Sequence, residues 1–197
     1  DLNWMRGMAA ASEEDNRLDS LALARLMRSL DELPKPTLAA VQGAAFGGGV
    51  GLVACCDIAL GATEAKFGLT EAKLGLLPAV ISPYVIAAIG ARHARRYFAS
   101  AEVFDAAEAL RIGLLHKVVN ATALDTAVQR QVELLLGAGP VASASAKTLV
   151  RDVVAHGDGA KHDTDNAALI ARLRVSPEGQ EGLSAFLDKR KPQWIQS

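Results

Sequence analysis

Three consecutive glycines at the mouth of a helix constrain this chain more than any other feature. Thr37-Leu-Ala-Ala-Val41 reads as a short buried strand and Gln42-Gly-Ala-Ala-Phe46 as a tight loop. Gly47-Gly48-Gly49 then opens a helix that runs through Leu52-Val-Ala-Cys-Cys56. Glycine inside a helix costs about 1 kcal/mol relative to alanine, so three together are a poor choice for stability alone. The first turn of a helix carries N–H groups without intrahelical partners, at the positive end of the helix dipole. Glycine lets a ligand approach that backbone closely. The triplet is therefore either a tight loop with close strand–helix packing or a site for an anion or oxyanion.

Two other glycine motifs fit poorly. Gly49-Val-Gly51-Leu-Val-Ala54 matches the dinucleotide pattern by letter. That motif should directly follow its strand and open a long crossover helix; here a loop intervenes and the helix ends near Cys56. No Gly-Lys-Ser/Thr follows, so this is not a phosphate-binding P-loop.

Downstream, Asp57-Ile-Ala-Leu60 and Ala65-Lys-Phe67 read as two more short strands. They lead into Phe67-Gly-Leu-Thr-Glu-Ala-Lys-Leu-Gly-Leu-Leu-Pro78, where Glu71 stands in a largely apolar run. A carboxylate withdrawn from water resists ionisation and can exchange protons near neutral pH. The alternative is a plain surface glutamate.

Ala40-Val-Gln-Gly-Ala-Ala-Phe-Gly-Gly-Gly-Val-Gly-Leu-Val-Ala-Cys-Cys-Asp57, followed by Phe67-Gly-Leu-Thr-Glu71 and Leu74-Gly-Leu-Leu-Pro78, resembles the enoyl-CoA hydratase/isomerase (crotonase) family. The likeness runs from Asp1 to Trp194, with later signatures in Phe104–Leu114 and Phe186–Trp194. Within the family the nearest likeness is to bacterial methylglutaconyl-CoA hydratases, partly through Pro78-Ala-Val-Ile-Ser-Pro-Tyr84. The resemblance implies an α/β, crotonase-like (ClpP/crotonase) core of short strands and helices with a C-terminal helical region. Residues 1–136 are expected to form that core and 137–197 the helical region.

The resemblance also implies the chemistry: reactions of an acyl-CoA through a thioester enolate. Glu71 matches the family's acid/base glutamate, and Gly48 the glycine whose N–H joins the oxyanion hole. Asp1, Leu2, Gly47, Gly51, Thr70, Leu74 and Ala79 are expected to line the substrate. Gly51 departs from the two-glutamate hydratases, which hold their second, water-positioning glutamate there. A side chain at 51 would project toward the site; with glycine there, either another group is expected to hold the water or a water to occupy the vacancy. Otherwise the reaction needs only one acid/base, as in 3,2-enoyl-CoA isomerisation. Ala79, Val80, Ile81 and Tyr84 are expected either to shape the acyl pocket or to be plain core, and Asp57 to be a structural cap. The expected function is hydration of a 2-enoyl-CoA, with 3-methylglutaconyl-CoA and leucine degradation the narrower candidate. The alternatives are an isomerase using Glu71 alone, or an inactive acyl-CoA-binding member or fragment. The resemblance further implies a homo-oligomer, a trimer or a dimer of trimers.

The family places several strands and the second oxyanion N–H upstream of the stretch that matches Asp1. The sequence is accordingly expected to be a fragment whose first part of the fold is missing.

The formal charge is −1, with 21 basic and 22 acidic residues, which gives no electrostatic case for nucleic acid. Cys55 and Cys56 are adjacent in an apolar helix and read as buried small residues rather than a disulfide. The four histidines, His93, His116, His156 and His162, lack metal-ligand spacing, and no metal or redox cofactor is expected; coenzyme A is part of the substrate. Arg92, Arg95 and Arg96 form a basic helical face, either solvated or near a phosphate. No apolar run spans a membrane and no signal peptide is visible, so the cytoplasm is the expected compartment. No nucleophile elbow appears.

Leu23, Leu26, Met27 and Leu30 follow helical spacing within Asp19–Leu33, and Pro34-Lys-Pro36 stops that helix. Asp105 is a good N-cap for a helix over 106–112. Helices are also expected over 122–136, 141–155, 164–175 and 177–187.

Overall fold

The computed structural model describes residues 2–157 and 159–195, the side chains of Leu2, Trp4 and Met5 excepted. It divides into two compact units. The first takes in residues 1–33 and 37–125, the second residues 34–36 and 126–197.

The first unit opens with helices α1 (Leu2–Ala9) and α2 (Glu13–Asp31). Ser12 caps α2: its hydroxyl accepts from the Asp15 N–H, and Glu13, Glu14 and Asp15 favour the positive end of the dipole. The helix therefore starts six residues before the expected Asp19. Next come β1 (Leu38–Val41), β2 (Ala44–Phe46) and α3 (Gly48–Cys55), then β3 (Ile58–Ala62) and β4 (Lys66–Gly68). A 3-10 turn over Thr70–Leu74 leads to α4 (Ser82–Ser100), which kinks at Gly90. The unit closes with β5 (Val103–Asp105), α5 (Ala106–Arg111) and β6 (Lys117–Val119).

Two three-stranded sheets result, in the orders β1-β3-β6 and β2-β4-β5. The first is wholly parallel; in the second β2 and β4 are parallel and β5 runs antiparallel to β4. The chain thus repeats one path. A strand in one sheet turns a corner into a strand of the other, so β1–β2 lies alongside β3–β4. The expected loop over Gln42–Phe46 needs correction: after the corner its last part is β2, paired Ala44 to Lys66 and Phe46 to Gly68.

Asp57 locks the start of this repeat. Its Oδ2 accepts from the Thr37 N–H at 2.7 Å and the Thr37 hydroxyl at 2.8 Å, and its own N–H donates to Thr37 Oγ1 at 3.0 Å. One short polar side chain thereby sets β1 and β3 in register. His116 extends the same sheet: its N–H donates to Ala59 O at 2.8 Å, and its Nδ1 accepts from Ala59 N at 3.0 Å.

The core of this unit is continuous from Met27 through Val50, Val53, Phe67, Leu69, Ile81, Val85 and Tyr97 to Leu115. Phe104 stacks between Phe67 and Tyr97, with ring centroids 5.8 and 4.4 Å away.

The second unit is helical: most of α6 (Leu124–Leu136), then α7 (Pro140–His156), α8 (Ala160–Val175) and α9 (Pro177–Leu187). Glu178, in the first turn of α9, caps α7. Its carboxylate accepts from the N–H groups of Val141 at 2.9 Å and Ala142 at 2.8 Å. Arg190 grips Glu181 with two hydrogen bonds of 2.6 and 2.9 Å, folding the tail back on α9 so that Trp194 lies over Gly182.

Candidate active site

The site is built on the entrance to α3. Gly47 has φ 51° and ψ −118°, a backbone conformation that a side chain would strain. The turn is fixed on both sides: Gly47 N–H donates to Gly68 O at 2.9 Å, and Gly47 O accepts from Val50 and Gly51 at 2.9 and 3.2 Å. With Gly47 O as the first helical acceptor, the Gly48 and Gly49 N–H groups fall in the first turn, where helix geometry supplies no partner. At Gly48 there is open space within 4 Å of where a Cβ would sit.

Glu71 comes to the same place from the 3-10 turn after β4. Its Oε1 lies 3.0 Å from the position a Cβ on Gly47 would take. The absence of a side chain at 47 thus makes room for the carboxylate. Glu71 is half-buried, and its Oε2 is fully buried without a hydrogen-bond partner among the described residues. An unpaired buried carboxylate oxygen is costly to keep, and such atoms gather where a ligand supplies the partner.

The other expected site residues fall into three groups. Thr70, half-buried, starts the turn that carries Glu71. Leu74 and Ala79 are exposed, and Leu74, Leu76 and Leu77 present an apolar edge that is 61%, 63% and 71% accessible. Asp1 lies outside the described residues; Leu2 begins α1, and its side chain is likewise outside them.

Gly51 is different. It is buried, and a Cβ there would lie 2.3 Å from Ile81 Cγ2 and 3.3 Å from Met27 Cε. The expected vacancy for a water beside Gly51 needs correction: Ile81 fills that space. Ile81 itself is 2% exposed and belongs to the core. No spacing rule links positions 51 and 81, so this packing was invisible in the sequence. Tyr84, by contrast, is half-buried against the core, and burial with the charges of Cys55 and Asp31 pushes its hydroxyl pKa up.

On the basic face of α4, Arg96 is committed. Arg96 pairs with Glu102 at 2.7 Å and lies over the Tyr97 ring at 5.0 Å. The Tyr97 hydroxyl donates to Glu108, which Arg111 also holds at 2.6 Å. Among the described residues no group of His, Cys, Asp or Glu could hold a metal ion, and no helix is long and apolar enough to cross a membrane.

Residues 4–197 match the family model described as enoyl-CoA hydratase/isomerase. The chain belongs to the enoyl-CoA hydratase/isomerase family. It is 32% identical over 196 residues to a putative enoyl-CoA hydratase of Thermus thermophilus, an alignment covering 98% of this chain and 76% of that protein. A crotonyl-CoA hydratase of Syntrophomonas wolfei is 33% identical over 177 residues, 87% of this chain and 66% of its own length. The crystal structure of an enoyl-CoA hydratase from Shewanella pealeana superposes with a TM-score of 0.95 at 49% identity, over 98% of this chain and 72% of that one. The fold is therefore the crotonase fold. The chain spans 66–76% of the length of these relatives.

Proposed function

We propose that this chain performs acyl-CoA chemistry through a stabilised thioester enolate, and that its reaction is hydration of a 2-enoyl-CoA. The observation that carries the reading is the Glu71 carboxylate, one oxygen buried and unpaired among the described residues, lodged against Gly47 at the entrance to α3. The names of its relatives support the same class. The narrower candidate, 3-methylglutaconyl-CoA, rests on sequence likeness, partly that of Pro78–Tyr84.

The steps use this chain's own groups. Gly48 N–H donates to the thioester oxygen as negative charge develops there; one such donor is typically worth ~3–4 kcal/mol. Water attacks C3, and the C2=C3 electron pair moves toward the thioester carbonyl to give the enolate. Glu71 takes a proton from the attacking water and returns it to C2, leaving the hydroxyl on C3. The net change is addition of one water. Coenzyme A enters as part of the substrate.

A second reading has its own observation. Ile81 fills the space beside Gly51, which leaves no room there for a second carboxylate. Glu71 acting alone suits 3,2-enoyl-CoA isomerisation, in which it removes a proton from C2 and returns it to C4.

The test uses the full-length protein with 3-methylglutaconyl-CoA and, separately, a 3-enoyl-CoA. Loss of the conjugated enoyl-thioester absorbance with a mass gain of one water is the expected result. Conversion of only the 3-enoyl ester, at constant mass, would move the assignment to isomerase. Tight binding without turnover of either ester would leave an acyl-CoA-binding protein.

A further inference from the structure

Gly47 is the N-cap residue of α3, and Gly51 lies one turn inside the helix. Glu71 is seated against the first and Ile81 against the second. Both seats exist because the residue at each position is glycine. We propose that Ile81 is a specificity-determining residue: it occupies the space through which a side chain at position 51 would act, one turn beyond Glu71, and leaves acid–base chemistry there to Glu71. The inference rests on the reading of Glu71 as the acid/base.

Three observations carry it. The approach is too close to be incidental, since Ile81 Cγ2 and Cβ would be 2.3 and 2.8 Å from a Cβ at 51. Atoms do not tolerate that separation, so the glycine and the isoleucine require each other. Ile81 is held there: it is the N-cap residue of α4, its carbonyl accepts from Val85 N at 3.1 Å, and Pro83 follows in the first turn. Finally, the surroundings are apolar, with Met27 Cε 3.3 Å from the same Cβ position. A space lined this way stays dry, so no water stands in for a missing carboxylate.

The pair is coupled, and that coupling is the testable content. Gly51→Ala and Ile81→Ala should each lower the melting temperature, the first by collision and the second by leaving a cavity. The double variant should melt well above the value that adding the two losses gives. Gly51→Glu should be destabilised on its own and recovered by Ile81→Ala. In Gly51→Glu/Ile81→Ala, the rate of hydration relative to isomerisation should rise at least about tenfold over wild type, since a placed general acid–base group is worth about 10²–10⁴. Ile81→Ala alone should not give that gain. If the carboxylate variant fails to fold, Gly51→Ser/Ile81→Ala carries the same comparison with a smaller polar group.

Additive melting losses would overturn the packing claim. Coupled melting with an unchanged reaction ratio would overturn the specificity claim. Inactivity of the wild type toward both esters would instead sink the reading of Glu71, and the specificity claim with it, while the melting cycle would still decide whether Gly51 and Ile81 interlock.

Discussion

At residue scale the account rests on two carboxylates with opposite roles. Glu71 has a buried oxygen without a partner, whereas Asp57 is satisfied by Thr37 through both N–H and hydroxyl. Replacing Glu71 with Gln should lower turnover by about 10²–10⁴ while equilibrium binding of the CoA ester persists; turnover and isothermal titration check the two halves. Asp57→Ala should instead cost about 1.5–3 kcal/mol of stability, the usual worth of hydrogen bonds to a charged group, seen as a shift in urea midpoint. Asp57 was legible in the sequence as a cap, and the motif singled out Glu71 as the candidate acid/base. What could not be read was the neighbour of Gly51. The letter at 51 announces a missing side chain, but only the fold shows that Ile81, thirty positions on, takes its place.

At the scale of elements, capping and a small ionic cluster hold the ends together. Glu178→Ala removes the acceptor for two N–H groups of α7 and should cost about 0.5–2 kcal/mol, as cap removals do; thermal melting reads it. Arg111 and Tyr97 together hold the Glu108 carboxyl down to about 2, from an ordinary 4.5. Its folded pKa lies below its unfolded one, so the stability it adds is present above about 4.5 and lost as pH falls toward 2. Burial, and then Glu108, push the Tyr97 hydroxyl up to about 12 from 10. That contribution is present below 10 and lost as pH rises toward 12. Urea midpoints should fall less steeply in Glu108→Gln than in wild type, with acid across the first window and with base across the second. The helices were legible wherever caps and periodicity agree, as at Asp105, whose side chain accepts from Glu108 N. The strands β2 and β5 were not. Each has three residues, too few for an alternating pattern, and each exists because β4 offers it a paired edge.

For the whole molecule, Leu74, Leu76 and Leu77 and, on α9, Phe186 and Leu187 are large apolar side chains left exposed, the kind of surface that marks interaction sites. Self-association is the proposed use of such surface, and sedimentation of the full-length protein should give a trimer or a multiple of it; a monomer at micromolar concentration would refute that. The sequence reading placed the boundary between core and helical region at 136/137. The compact units instead divide at 125/126, which groups all but the first two residues of α6 with the later helices. The central claim is that Glu71 moves a proton at the carbon beside the thioester, whichever net reaction follows. The most direct measurement runs wild type and Glu71→Gln with the reactive enoyl-CoA ester in deuterated water and follows deuterium at C2 by mass and NMR. Rapid labelling by the wild type, lost in Glu71→Gln while the ester still binds, is the predicted result. Equal labelling by both proteins would contradict the account.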